Sequence, residues 1–273
     1  MSAKLDLTQA TFLVPLKFDS LERVRNLLVV LRFFARHVET SLVLTETGTR
    51  PGFAPHLTDL PPGARYDFVP DDRPFFHRTR LLNRMLRACP TPVAVVCDAD
   101  VVCHPAQLKR ALAAVLDGAD MVLPYDGRFL DVPEALVPRL LGPPAGFPGP
   151  RECPALYEDG TGGMVFFRKA SLLAAGLYNE RFLSWGHEDR ELLHRLTGLG
   201  FRFERLPGCM LHLHHPRHAD SHPMKNPHFA ANTREYERVK AMDEAELRAA
   251  VAAFPWLDEA ADPAGEAGQG EKP

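Results

Sequence analysis

Three short stretches of the chain carry side chains whose types and spacing suit chemistry. The first is Asp98-Ala99-Asp100, directly after the β-rich run Pro-Val-Ala-Val-Val-Cys at 92–97. Open α/β sheets bind ligands beyond the carboxyl ends of their strands. Two carboxylates one residue apart at such an end can face a divalent cation, which prefers oxygen ligands. A plain polar turn is the alternative. The second is a histidine cluster: His212, His214, His215, His218, His222 and His228 are six of the twelve histidines in the chain. Imidazole with carboxylate is a common donor set for a transition metal such as Mn²⁺. His212 and His215 can meet the same ion as Asp100. His212 and His214 are the competing pair if the stretch is extended, because both then point to one face. The third is Trp185-Gly186-His187-Glu188-Asp189, ahead of an amphipathic run. Acidic residues at a helix N-terminus are favoured by its dipole, and a carboxylate in a pocket can also serve as a general base. Trp185 offers either a flat platform for a sugar ring or a piece of core. Gly162-Gly163 makes a tight turn or lets backbone approach a ligand closely.

The elements that must position these residues follow from periodicity. Strands are predicted at 11–15, 41–45, 66–69, 92–97, 121–124 and 162–167, and helices at 21–37, 78–88, 106–116, 169–175 and 188–199. Asp19 or Ser20 is the expected cap of the first helix. Helical spacing recurs over 234–254. Strand and helix alternate over the first 125 residues, which predicts an α/β fold with a mainly parallel central sheet flanked by helices. The Pro- and Gly-rich stretch 133–154 reads as an irregular excursion. Residues 258–273 lack large apolar side chains and read as a disordered tail. A single domain over 1–257 is expected.

Composition narrows the function classes. The 273 residues carry a net charge of −3, without the basic surplus of a general nucleic-acid binder. No apolar run approaches a membrane span, and the N-terminus lacks the apolar core of a signal peptide. Five cysteines, an odd number with no Cys-x-x-Cys pair, read as buried small hydrophobes in a reducing compartment rather than a disulfide framework or a zinc site. Phosphate-loop, dinucleotide and serine-nucleophile motifs are missing.

Taken in order, Phe76-His77-Arg78-Thr79-Arg80-Leu81-Leu82-Asn83, Asp98-Ala99-Asp100, Gly162-Gly163-Met164, the run from Phe182 through Trp185-Gly186-His187-Glu188-Asp189 to Leu192, and the histidines from His212 resemble the β-1,4-galactosyltransferase family. They are also similar to the galactosyltransferase-type domains of polypeptide GalNAc-transferases and chondroitin-synthesising enzymes. The resemblance spans about residues 11–240. It implies a GT-A fold, a UDP-sugar donor and Mn²⁺. Its nucleotide-binding half falls at about 11–125 and its acceptor and catalytic half at about 155–240. Asp98 and Asp100 match the family's Asp-x-Asp, with Asp100 the direct metal ligand. His215 matches its metal histidine, and His212 stands where a methionine ligand is common. Pro15 and Lys17 fall in the nucleotide-contacting segment, which is only partly kept. Arg78 matches a uridine-side arginine. Gly162, Gly163 and Trp185 belong to the donor side. Asp189 matches the catalytic base, and Glu188 its neighbour in the acceptor site. His187 replaces a glycine of the family. Gly160 stands where a bulky aromatic is usual, which implies a roomier pocket able to take an N-acetyl group.

The resemblance implies an inverting, metal-dependent transfer of a hexose or N-acetylhexosamine from a UDP-sugar to a glycan acceptor. A cytoplasmic, bacterial-type enzyme of surface polysaccharide or glycoconjugate synthesis, associating peripherally with a membrane-linked acceptor, fits the missing Golgi anchor. The alternatives are a catalytically inactive nucleotide-sugar or glycan binding protein and a metal-dependent hydrolase or nucleotidyltransferase. Residues 212–230 read as a lid over the donor.

Overall fold

The computed structural model describes residues 3–217, 222 and 224–257. His218, part of the expected lid and the expected disordered tail at 258–273 lie outside them. Strand β1 (Leu5–Leu16) buries nearly every residue from Ala10 onward. Helix α1 (Leu21–His37) follows, its Ser20 cap accepting from the Arg23 N–H. Its Leu27, Leu31 and Phe34 face the sheet. Phe12 of β1 meets Phe34 at 4.8 Å and Phe166 at 5.7 Å between ring centroids. These edge-on contacts join the first strand, the first helix and the middle of the sheet in one core.

The large sheet also contains β2 (Val38–Gly48), β3 (Arg65–Pro70), β4 (Val93–Cys97), β6 (Met121–Leu123), β9 (Met164–Arg168) and β10 (Phe203–Arg205). Its order is β10-β6-β9-β4-β1-β2-β3. Pairing is parallel except along β9, which runs antiparallel to β4 and β6. The expected α/β architecture with a mainly parallel sheet is present, with one reversed strand inserted. That strand starts at Met164 rather than at the predicted residue 162. Gly163 has φ +77°, a left-handed turn that ladder pairing does not accommodate.

A second sheet of four short strands was not apparent from the sequence. It orders β5 (Val101–Cys103), β11 (Met210–Leu213), β7 (Phe129–Val132) and β8 (Ala155–Tyr157). Asp98-Ala99-Asp100 therefore lies where the chain leaves β4 in one sheet and enters β5 in the other. Helices α2 (Arg78–Ala88), α3 (Pro105–Leu116), α4 (Lys169–Ala174) and α5 (Glu188–Gly198) stand within a residue or so of their predicted bounds. The helical stretch expected over 234–254 is two helices, α6 (Phe229–Lys240) and α7 (Glu244–Ala252). Asp243 starts the second one with a capping box to Glu246, which interrupts the first. Cys89, Cys97, Cys103 and Cys153 are buried, Cys209 is half-buried, and all five are free thiols. Among the described residues no helix is long and apolar enough to cross a membrane.

Candidate active site

The ends of β1 and β4, the turn before β9, the N-terminus of α5 and the end of β11 converge on a cleft of about 610 Å³. Pro15, Lys17, Arg78, Asp98, Asp100, Gly162, Gly163, Trp185, Glu188, Asp189, His212 and His215, all singled out from the sequence, line it. They do not all face it in the way the sequence suggests.

Asp100, His212 and His215 form a buried cluster whose candidate ligand atoms lie within 4.8 Å of one another. His215 Nδ1 lies 2.8 Å from the Pro216 carbonyl. A carbonyl can only accept, so Nδ1 carries the proton and Nε2 is directed at Asp100 Oδ2, 3.1 Å away. His212 Nδ1 lies 3.0 Å from Asp131 Oδ1, which likewise leaves Nε2 for the cluster. A carboxylate behind a metal-binding imidazole fixes the ring and its tautomer. Once a cation displaces the protons on the two Nε2 atoms, one oxygen donor and two imidazole nitrogens directed inward would fit a divalent transition metal. In the metal-free cluster burial alone would raise Asp100, but the hydrogen bond it accepts from His215 and the positive charges of protonated His212 and His215 and of Arg23 hold it well below the usual carboxylate range. His214 is turned away: its Nδ1 meets Asp131 Oδ2 at 2.9 Å and its side chain is 73% exposed. The cluster therefore pairs His215 with His212.

Arg78 sits among carboxylates. Its Nη2 donates to Asp98 Oδ1 at 2.7 Å. Its Nη1 lies 3.7 Å from Asp189 Oδ1 and 3.8 Å from Glu188 Oε1, buried without a hydrogen bond. It thus links the strand-end aspartate to the acidic turn of α5 while lining the cleft. Lys17 is held at the edge of the cleft by its Nζ, which donates to the Arg73 carbonyl at 2.7 Å.

Asp189 is pushed up to about 7, by burial first; Glu188 and Asp98 add to the rise, while Arg78 and Tyr178 oppose it. Burial also raises Glu188, which accepts from the Gly186 N–H at 3.1 Å. The glycine pair is a spatial requirement. A Cβ on Gly162 would come within 1.9 Å of Asp189 Oδ2, and the Gly163 carbonyl accepts from the Asp98 N–H at 2.7 Å. Gly-Gly is thereby pressed against both acidic motifs.

The loop ahead of Asp189 is strained. Ser184 has φ +62° and His187 φ +69°, a left-handed conformation that non-glycine residues seldom adopt and that clusters at functional sites. Helix α6 holds the loop in place. Asn226, just before it, and Asn232, within it, donate to the Trp185 carbonyl at 2.6 and 3.3 Å. Trp185 stacks on Phe229 at 5.9 Å and 14°. The His187 ring meets Phe229 at 5.3 Å and lies nearly parallel to Tyr236 at 5.2 Å.

Gly160 lines the cleft beside Phe129. A Cβ there would stand 2.2 Å from the Phe129 ring, so the absence of a side chain lets the aromatic from β7 pack against this turn. Three contributors were not apparent from the sequence: Asp131 behind His212, Tyr178 with its hydroxyl 3.5 Å from Asp189, and Arg23, 3.5 Å from Asp100.

Residues 150–219 match the family model described as the N-terminal domain of galactosyltransferase. A sequence search of curated proteins finds no match. Among solved structures, the chain resembles TarS of S. aureus in complex with UDP-GlcNAc, with TM-score 0.57 and 13% identity over 90% of this chain and 71% of that one. It also resembles the mannosyltransferase PcManGT of Pyrobaculum calidifontis in complex with GDP-Man and Mn²⁺, with TM-score 0.53 and 14% identity over 93% and 70%. A third neighbour is glucosyl-3-phosphoglycerate synthase of Mycobacterium tuberculosis with Mn²⁺, UDP and phosphoglyceric acid, with TM-score 0.50 and 16% identity over 83% and 78%. The shared architecture is the GT-A fold of glycosyltransferases.

Proposed function

We propose that this protein is an inverting, metal-dependent glycosyltransferase that moves a hexose or N-acetylhexosamine from a UDP-sugar to a glycan acceptor. One observation carries the reading: a buried carboxylate–imidazole cluster and a carboxyl pushed up to about 7 face the same cleft. Asp100, His212 and His215 hold the divalent cation, which when bound supplies Lewis-acid neutralisation of the departing nucleotide. Nucleotide-sugar and Mn²⁺ complexes of proteins sharing the fold support this assignment.

The chain's own residues do the rest. Trp185 gives the sugar ring a flat apolar wall. Asp189 accepts the proton of the acceptor hydroxyl as that oxygen attacks the anomeric carbon. The bond from that carbon to the diphosphate oxygen breaks with its electron pair going to UDP, and the configuration inverts because attack comes from the opposite face. Arg78, fixed by Asp98, keeps a positive charge beside Asp189 while the carboxylate is ionised. Gly162 leaves the room in which that carboxylate sits.

Calorimetric titration with UDP tests the reading, once with Mn²⁺ and once with EDTA. Binding that requires the metal is expected, followed by transfer from one of UDP-Gal, UDP-GalNAc, UDP-GlcNAc or UDP-Glc. Equal UDP binding in EDTA would dissociate the cluster from the donor site, and no binding in either condition would remove UDP as the donor nucleotide.

A further inference from the structure

A nucleoside diphosphate entering this cleft brings negative charge to a wall that already holds Asp98, Asp100, Glu188 and Asp189. Like charges in a partly desolvated site repel strongly, so the chain needs a cation beside the metal cluster. Most cationic side chains around the cleft are committed elsewhere. Lys17 is bonded to the Arg73 carbonyl. Arg78 lies against Asp98, Glu188 and Asp189. Arg190 is paired with Asp159 at 2.6 Å, and Arg217 lies over the Tyr157 ring.

Arg23 is placed differently. It comes from the first turn of α1, where sequence alone makes it an ordinary helix-surface residue. Its guanidinium lines the cleft, 80% of the side chain being covered, and one nitrogen, Nη1, stands 3.5 Å from Asp100 Oδ2. Asp19, one turn earlier, holds Nε at 2.9 Å, which fixes the orientation of the planar group. Asp100 Oδ2 is the same oxygen that faces His215. The rest of the fork remains for a planar or tetrahedral oxyanion, the geometry to which guanidinium is suited.

We propose that Arg23 is the diphosphate-binding cation of the donor site, supplied by α1 to the edge of the Asp100–His212–His215 cluster. The inference rests on the glycosyltransferase reading and adds a residue that the sequence motifs do not include. Arg23 acts on the nucleotide and competes with a metal ion for Asp100, so its loss lowers the nucleotide affinity without lowering that for the metal.

The test is calorimetry on the wild type, Arg23→Gln and Arg23→Lys, titrated with Mn²⁺ alone and with UDP, GDP or uridine in the presence of Mn²⁺. In Arg23→Gln, affinity for the diphosphate nucleotide is expected to fall about 10- to 100-fold, the weight of a charge-assisted bond. Uridine binding stays unchanged, Mn²⁺ binds as tightly as before or more tightly, and Arg23→Lys recovers part of the loss. Unchanged diphosphate affinity in Arg23→Gln would overturn the assignment. A parallel loss of Mn²⁺ affinity would also overturn it, placing Arg23 in the architecture of the metal cluster. A wild type that binds neither UDP nor GDP would instead overturn the glycosyltransferase reading itself.

Discussion

Asp189 ionises near pH 7 because burial disfavours its charge, with Glu188 and Asp98 adding repulsion that Arg78 and Tyr178 only partly offset. A general base works best when its pKa lies close to the working pH. Transfer at saturating donor is therefore expected to rise about tenfold per pH unit up to about pH 7 and to level off above it. Asp189→Asn should lose about 10²–10⁴-fold in turnover. The same raised pKa has a stability consequence of opposite sign. A carboxyl whose folded pKa exceeds its unfolded value penalises the fold as it ionises, through the interval from about pH 4 to about pH 7. The penalty is complete above that interval, so Asp189→Asn should be more stable than the wild type at pH 8, by on the order of 1 kcal/mol. The gain should shrink at pH 5. Thermal melts at the two pH values check it; a variant less stable at pH 8 would contradict the burial argument. Asp189, Glu188 and Asp100 are legible in the sequence because each lies in a local motif at the edge of a recognisable element. Asp131 and Arg23 are not. Asp131 meets His212 only because β7 and β11 pair in parallel with those two residues opposite each other, and no local pattern announces that register.

At the scale of elements, the N-terminus of α5 and the face of α6 together present the acidic turn. His187 precedes Glu188 in a left-handed conformation, and its ring lies between Phe229 and Tyr236, seven residues apart on α6. Left-handed backbone at a non-glycine residue costs on the order of 1 kcal/mol, and here the ring contacts offset it. The column Tyr236–His187–Phe229–Trp185 props the loop that ends on Asp189. His187→Gly should relax the backbone and remove the prop, lowering transfer about 10- to 100-fold through misplacement with UDP affinity in Mn²⁺ unchanged. His187→Phe keeps a ring in the column and should restore most of the rate. Equal rates for the Gly variant and the wild type would show that the column does not set the loop. The elements themselves are largely legible, since α1, α2, α3 and α5 show helical periodicity, Ser20 caps α1, Pro105 opens α3, and Pro90 and Gly200 follow α2 and α5. The small sheet is not. Strands of three and four residues, such as Val101–Cys103 and Met210–Leu213, are too short for a period to show.

Across the whole molecule, the metal cluster joins the two sheets. Asp100 stands at the passage from β4 of the large sheet to β5 of the small one, His212 lies on β11, and Asp131 orients it from β7. The Leu213 N–H also donates to the Asp100 carbonyl at 2.7 Å. A cation bound to both sides favours the folded chain over the unfolded one, in which these residues are far apart. At about a hundred times its dissociation constant a ligand adds roughly 3 kcal/mol. For a domain of this size that corresponds to a rise of about 5–10 °C in Tm. Asp131→Asn leaves the three ligands in place but removes the charge behind His212 and His214. Loss of such a partner typically weakens metal binding about 10- to 100-fold. At the same Mn²⁺ concentration the rise in Tm should therefore shrink to about 1–5 °C in the variant, while the Tm in EDTA stays near that of the wild type. Scanning calorimetry of both proteins with Mn²⁺ and with EDTA checks this. An equal metal-induced rise in the two would mean that Asp131 does not support the cluster. No rise in either would mean that the cluster does not bind Mn²⁺ at that concentration.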